Sequence, residues 1–221
     1  VPLGVEVADL PEPRNFIDTA VFNKLKLLGM PPSEGCDDQT FIRRVTIDIA
    51  GRLPTAEEAE AFAGDGAEAR RDRAIERLLE SGSYADYFTN KWAALLRNKK
   101  SKATYELGTF SFHDWLREMI HTNAPYDQIV RNVVAASGDL RSNPGVVWYR
   151  SVNKTEQQVE DSAQLFLGMR IQCARCHHHP FERWSQKDYY SYQAFFSRIG
   201  RKKNPDGLAD AERVFHNRGK A

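Results

Sequence analysis

The run Cys173-Ala-Arg-Cys-His-His-His-Pro-Phe181 gathers most of the chemistry-bearing residues of this chain into one short stretch. Two thiols separated by two residues, followed at once by an imidazole, make the pattern Cys-x-x-Cys-His. If the ligand is haem, each part has a physical job. Cys173 and Cys176, on one helical turn, reach the two vinyl groups at one edge of the macrocycle, and His177 offers the proximal axial nitrogen. The Pro180 loop can then supply a backbone carbonyl to the other His177 nitrogen, fixing its tautomer. Other chemistries stay open at this point. Zinc would use Cys173, Cys176 and His179 or His178, but a closed structural site needs a fourth ligand, and only Cys36 or a remote histidine is available. A redox dithiol belongs at a helix N-terminus in a βαβ setting, which this chain lacks. A disulfide across two residues closes too small a loop to stabilise much.

His179 is excluded as the opposite axial ligand of the same iron. Two axial imidazoles, each bonded at roughly 2 Å, hold their Cα atoms on the order of 12 Å apart, whereas residues i and i+2 span only about 7 Å. The remaining distal candidates are Met169, Met119, His113, His121 and His216. Both methionines fall among apolar helical residues and suit a core role equally well. The distal position is left unassigned and is open to being vacant.

Helices must position these groups. Asn15 caps a first helix with the stripe Ile17, Val21, Leu25 and Leu28, stopped by Gly29. A second segment, Phe41 to Ile49, has a β-branched run that also suits a strand. Thr55-Ala-Glu-Glu58 is a capping box. Further helices are expected near 67–79, from Ser83 onward with Tyr84, Phe88, Trp92 and Leu95 on one face, near 111–121 and near 125–136. Gly138 to Tyr149 reads as an extended crossing segment. A helix from Thr155 to about Gly168 leads into the cysteine loop, and Ser185 caps one carrying Tyr189, Tyr192, Phe196 and Ile199. The expected fold class is mostly α: a compact multi-helix single domain at 15–200 with a c-type haem attachment loop near the C-terminus. An extended lead-in occupies 1–14, and a polar tail with little to bury occupies 201–221.

The totals agree with a soluble globular protein: 221 residues, 41% hydrophobic, 28% charged. A net charge of +1 gives no reason to expect nucleic acid or an anionic membrane as partner. No apolar run approaches the ~20 residues of a membrane span, and the lead-in shows no signal-peptide pattern. Three cysteines are too few for a disulfide scaffold.

Longer stretches carry a resemblance. Phe41 to Gly51 with Leu53-Pro-Thr-Ala-Glu-Glu58, Tyr84-Ala-Asp-Tyr-Phe88 with Lys91-Trp92, Pro125 to Val130, and above all Gln164 to Gly168 running through Gln172-Cys-Ala-Arg-Cys-His177 to His179-Pro-Phe-Glu-Arg-Trp184 resemble a bacterial domain family of unknown function, labelled cytochrome-like in planctomycetes and verrucomicrobia. The resemblance covers about 15–198. It implies an exported protein, often part of something larger, with no assigned reaction. Its pattern carries over to Cys173, Cys176, His177, His179, Arg43, Arg44, Asp48, Trp92 and Trp184. Met169, His113, His121 and His178 stand where the family pattern has other residues, so a distal ligand shared by the family is not expected among them.

Arg43, Arg44 and Arg183 are candidates for the haem propionates, and Trp184 for packing in the haem pocket. The plainer reading pairs Arg44 or Arg52 with Asp48 and buries the tryptophans in a helical core. The expectation is therefore a c-type haem protein with one covalent haem c, periplasmic or at the cell surface, since haem attached in this way is assembled outside the cytoplasm. It would move single electrons to a redox protein partner or within a larger membrane or surface complex. The alternatives are a five-coordinate haem enzyme or ligand-binding haem protein, and a scaffold module with zinc or a disulfide at the cysteine pair. No catalytic residue is assigned.

Overall fold

The structure is a computed structural model, which describes residues 7, 10–100, 102, 105–203 and 212–217. It is mostly helical: α1 (Phe16–Leu28), α2 (Asp38–Ala50), α3 (Ala56–Gly64), α4 (Arg70–Leu79), α5 (Gly82–Leu95), α6 (Glu106–His121), α7 (Tyr126–Val134), α8 (Trp148–Ser151), α9 (Thr155–Leu167) and α10 (Gln186–Ala194). Two strands follow, β1 (Ile199–Lys203) and β2 (Glu212–His216).

Local chemistry explains most boundaries. Asn15 caps α1 by accepting from the Ile17 and Asp18 amides, and Gly29, with φ 64°, ends it. Asp37 caps the second segment, which is helical rather than extended despite its β-branched run. Thr55 and Glu58 form the expected reciprocal capping box on α3. The Arg52 guanidinium reaches both Glu58 carboxylate oxygens, at 2.7 and 2.8 Å. Arg52 therefore pairs with the next helix and not with Asp48.

Among the described residues three apolar clusters form the core. The main one gathers Ala85 and Ala93 from α5 with Leu96 just past its end, Phe112, Leu116 and Ile120 from α6, Val133 from α7, and Val146 to Tyr149. A second, of Val159, Ala163, Ile171, Ala174, Tyr189 and Phe196, lies under the cysteine loop. A third joins Ile42, Phe62 and Ala74 of α2, α3 and α4.

Several expectations are corrected. The buried face of α5 is Ala85, Thr89 and Ala93, one residue round from the aromatic face, because small side chains let α5 lie close along α6. Tyr84, Phe88 and Trp92 are only partly buried, and Leu95 is exposed. The apolar stripe of α1 holds no fully buried residue: Ile17 is 57% exposed and Val21 is exposed, while Leu25 and Leu28 are half-buried. Residues 144–151 are not extended: Asn143 accepts from the Gly145 amide at 3.2 Å and starts a 3-10 turn, Pro144–Val147, that runs into α8. Beyond Gly200 the described residues are not a bare polar tail. β1 pairs antiparallel with β2, Ile199 opposite His216, and Val214 is 2% exposed within the main cluster.

Candidate functional site

Gly168, at φ 65° and ψ 19°, ends α9 in the left-handed conformation and turns the chain into the site loop. Gln172–Arg175 then forms a 3-10 turn. At three residues per turn, positions i and i+3 eclipse. Ile171 and Ala174 share the inner side and are buried, Ala174 completely. Cys173 and Cys176 share the same i, i+3 spacing, and both are exposed free thiols. Burial of the residue between the cysteines thus sets both sulfurs outward. The turn is tied to α10, where the Gln186 side-chain amide donates to the carbonyls of Arg175 (3.2 Å) and Cys176 (3.4 Å), and the Tyr190 hydroxyl donates to that of Arg175 (3.3 Å).

The three histidines are held differently. His177 Nδ1 lies 2.6 Å from the His178 carbonyl, which can only accept, so Nδ1 carries the proton. In the neutral ring this leaves the Nε2 lone pair of His177 free, and its ring is exposed. His179 is the reverse. Its Nδ1 accepts from the amides of Phe181 (3.3 Å) and Glu182 (2.9 Å), so in the neutral ring Nε2 holds the hydrogen. Its own amide donates to the Trp184 carbonyl at 2.8 Å, closing the loop 179–184. His178 Nδ1 accepts more weakly from the Gln186 amide, at 3.4 Å. The carbonyl expected to fix His177 is thus present, supplied by His178 ahead of Pro180.

Beside the turn lies a cavity of about 690 Å³ bordered by Cys173, Met169, Arg170, His179, Phe181, Glu182, Arg183 and Trp184. That volume falls within the roughly 300–1,000 Å³ usual for small-molecule and cofactor sites. Met169 and Trp184 also border a smaller apolar cavity of about 310 Å³ against α10, lined further by Tyr189 and Tyr192. Beneath it the Tyr189 hydroxyl donates to Glu160 at 3.1 Å, and burial, then the Glu160 charge, pushes the Tyr189 pKa up. Asp188 is held below the usual carboxylate range, first by the Ser185 amide and then by the Ser185 hydroxyl.

Of the expected site residues, the structure brings together Cys173, Met169, His179, Arg183 and Trp184 at this cavity. Cys176 and His177 stand on the adjoining turn rather than in the cavity wall. Arg183 lies over the Trp184 ring at 5.1 Å. Arg43 and Arg44 are exposed on α2, which packs on α3, α4 and α5, and neither lines the cavity. His113 contacts Asn90 Oδ1 at 3.2 Å between α5 and α6, His121 ends α6, and His216 ends β2; none borders the cavity. Met119 and Trp92 line a third cavity, about 380 Å³, between α5, α6 and α7. Arg170, unremarked in the sequence, joins the cavity wall. Among the described residues no three His, Cys, Asp or Glu side chains converge to hold a metal ion.

Residues 16–201 match the model of PSCyt2, described as a protein of unknown function (DUF1549). The chain belongs to the PSCyt2 family. No curated protein and no solved structure matches it. The PSCyt2 match spans the helices, the cysteine turn and the start of β1. Among the described residues no helix of this PSCyt2 chain is long and apolar enough to cross a membrane.

Proposed function

We propose that the chain carries one covalent c-type haem and exchanges single electrons with a redox protein partner, or within a larger membrane or surface complex, outside the cytoplasm. The observation that carries this reading is the turn 173–177. Two outward thiols share one side of it, and the next residue offers an imidazole whose Nδ1–H is already committed to a carbonyl. The side chains around it fit the group: thioether and aromatic surface from Met169, Phe181 and Trp184 beside Cys173, with guanidinium groups near by.

Each thiol would add across a vinyl double bond, sulfur to one carbon and its hydrogen to the other. When bound, the iron supplies a one-electron couple. His177 would hold it through Nε2, and the His178 carbonyl would keep that ring in the ligating tautomer and raise its basicity. The Gln186 and Tyr190 bonds to the turn would keep both sulfurs in place.

The test is the intact mass and visible spectrum of the full chain made in a host that attaches haem. The expected result is the mass increment of one haem, absent when Cys173 and Cys176 are both serine. An unmodified mass with two titratable thiols would end this reading. Met169 is the distal candidate that borders the cavity. A spectrum changed by Met169→Ala supports a six-coordinate carrier, whereas an unaltered spectrum that responds to cyanide supports the five-coordinate alternative.

A further inference from the structure

The sequence offers Arg43, Arg44 and Arg183 for the propionates, but the fold carries the first two away on α2. The cavity beside Cys173 keeps Arg183, in the loop closed by His179 and Trp184, and adds a guanidinium the sequence did not single out, Arg170 at the exit from α9. Thirteen positions separate them in sequence, and the turn and loop bring them to one wall. Arg170 shows no ion pair or hydrogen bond among the described residues. The Arg183 guanidinium lies over the Trp184 ring, 5.1 Å from its centroid, a contact that leaves its charge in place. Among the described residues Glu182 is the carboxylate in this wall, and Asp188, which borders the smaller cavity, lies within electrostatic reach of Arg183. The apolar surface is continuous through Met169 and Trp184 into the smaller cavity.

We propose that Arg170 and Arg183 form the carboxylate-binding edge of this cavity, so that it takes a flat, largely apolar ligand bearing acidic groups, with the apolar part against Met169 and Trp184. This rests on the haem reading and names the residues that receive the two propionates. A guanidinium fork binds a carboxylate through two parallel N–H bonds, with a geometric preference a lone ammonium lacks. Arg170 and Arg183 are exposed, so their contribution is one of selectivity and modest affinity rather than of fold stability.

The test uses the full chain with Cys173→Ala and Cys176→Ala, which blocks attachment, and two zinc porphyrins, the free diacid and its dimethyl ester, titrated by fluorescence. The expected result is tighter binding of the diacid than of the ester. Arg170→Gln with Arg183→Gln should then weaken the diacid about tenfold and leave the ester unchanged, since each charge-assisted bond at an exposed site is weak. Arg43→Gln with Arg44→Gln should change neither. Equal affinity for the two porphyrins, no measurable binding of the diacid, or a double arginine variant that binds the diacid as its parent does would each overturn the assignment. The haem reading fails on a separate readout, the unmodified mass of the chain with both cysteines in place.

Discussion

Three consecutive histidines in one loop would be near-equivalent ligands if their rings were free, and they are not. The backbone around them selects His177: its Nδ1–H is donated to a carbonyl, while His178 and His179 use Nδ1 to accept amide hydrogens. Nitrogen-15 NMR of the metal-free chain should therefore find an Nδ1–H tautomer at His177 and an Nε2–H tautomer at His179. Substituting His179→Ala leaves the Phe181 and Glu182 amides without their acceptor and opens the loop. Water can reach these groups, so the expected cost is about 1 kcal/mol, a fall of about 2–4 °C in Tm for a chain of this size. His179→Asn, whose side-chain oxygen can still accept, should recover most of it; equal losses for both variants would show that the ring's bulk matters and not its acceptor. The pattern Cys-x-x-Cys-His was legible because its spacing is local. The tautomers were not, since they depend on amides placed by the loop that Trp184 closes. Arg170 left no trace either, a single charge with no partner spacing to mark it.

At the scale of elements, the joints decide more than the helices. Gly145 sits where the 3-10 turn meets α7, and a Cβ there would stand 2.1 Å from the Asn132 carbonyl oxygen. Neither backbone can give way without breaking α7, so Gly145→Ala should lower the urea midpoint severely. Gly168 has open space around its Cβ position, and only its left-handed backbone resists substitution. Gly168→Ala should cost about 1 kcal/mol. A second joint is electrostatic. The Arg52 hydrogen bonds lower the Glu58 pKa from 4.5 to about 2. The folded-state value is depressed, so the stabilisation is fully present above pH 4.5 and is lost as pH falls through about 2. With Arg52 more than a third exposed, its size is on the order of 1 kcal/mol after solvent screening. Glu58→Gln should therefore be less stable than the parent at neutral pH, and the two urea midpoints should converge as pH approaches 2. The capping box at this joint could be read from sequence, since both partners lie within one turn. The bidentate ion pair across it could not, because an Asp48 partner four residues away looked equally good until the chain turned at Gly51.

At the scale of the whole molecule, the segment after Gly200 tests how far the fold extends past its family match, which ends at residue 201. Its polar strands, Ile199–Lys203 and Glu212–His216, show no helical period, and one valine carries the burial, so sequence alone reads it as a tail. The packing says otherwise. Val214 exchanges both backbone hydrogen bonds with Gly138, at 2.8 and 2.9 Å, and its side chain enters the main cluster. Ile199, opposite His216, touches both that cluster and the one beneath the cysteine turn. The hairpin thus fastens the α5–α6 core to the site. Val214→Ala should cost on the order of 2 kcal/mol through the cavity it leaves. A chain ended after Lys203 should lose more, since Gly138 and β1 then expose unpaired backbone groups as well. Chemical denaturation of the parent, the alanine variant and the shortened chain should give midpoints falling in that order. Amide exchange should in addition quicken at Ala174 in the shortened chain, because the turn that presents the two sulfurs packs on the cluster Ile199 helps to seal. Equal midpoints for all three would mean that the core closes without the hairpin, and that the cysteine turn owes its position to α9 and α10 alone.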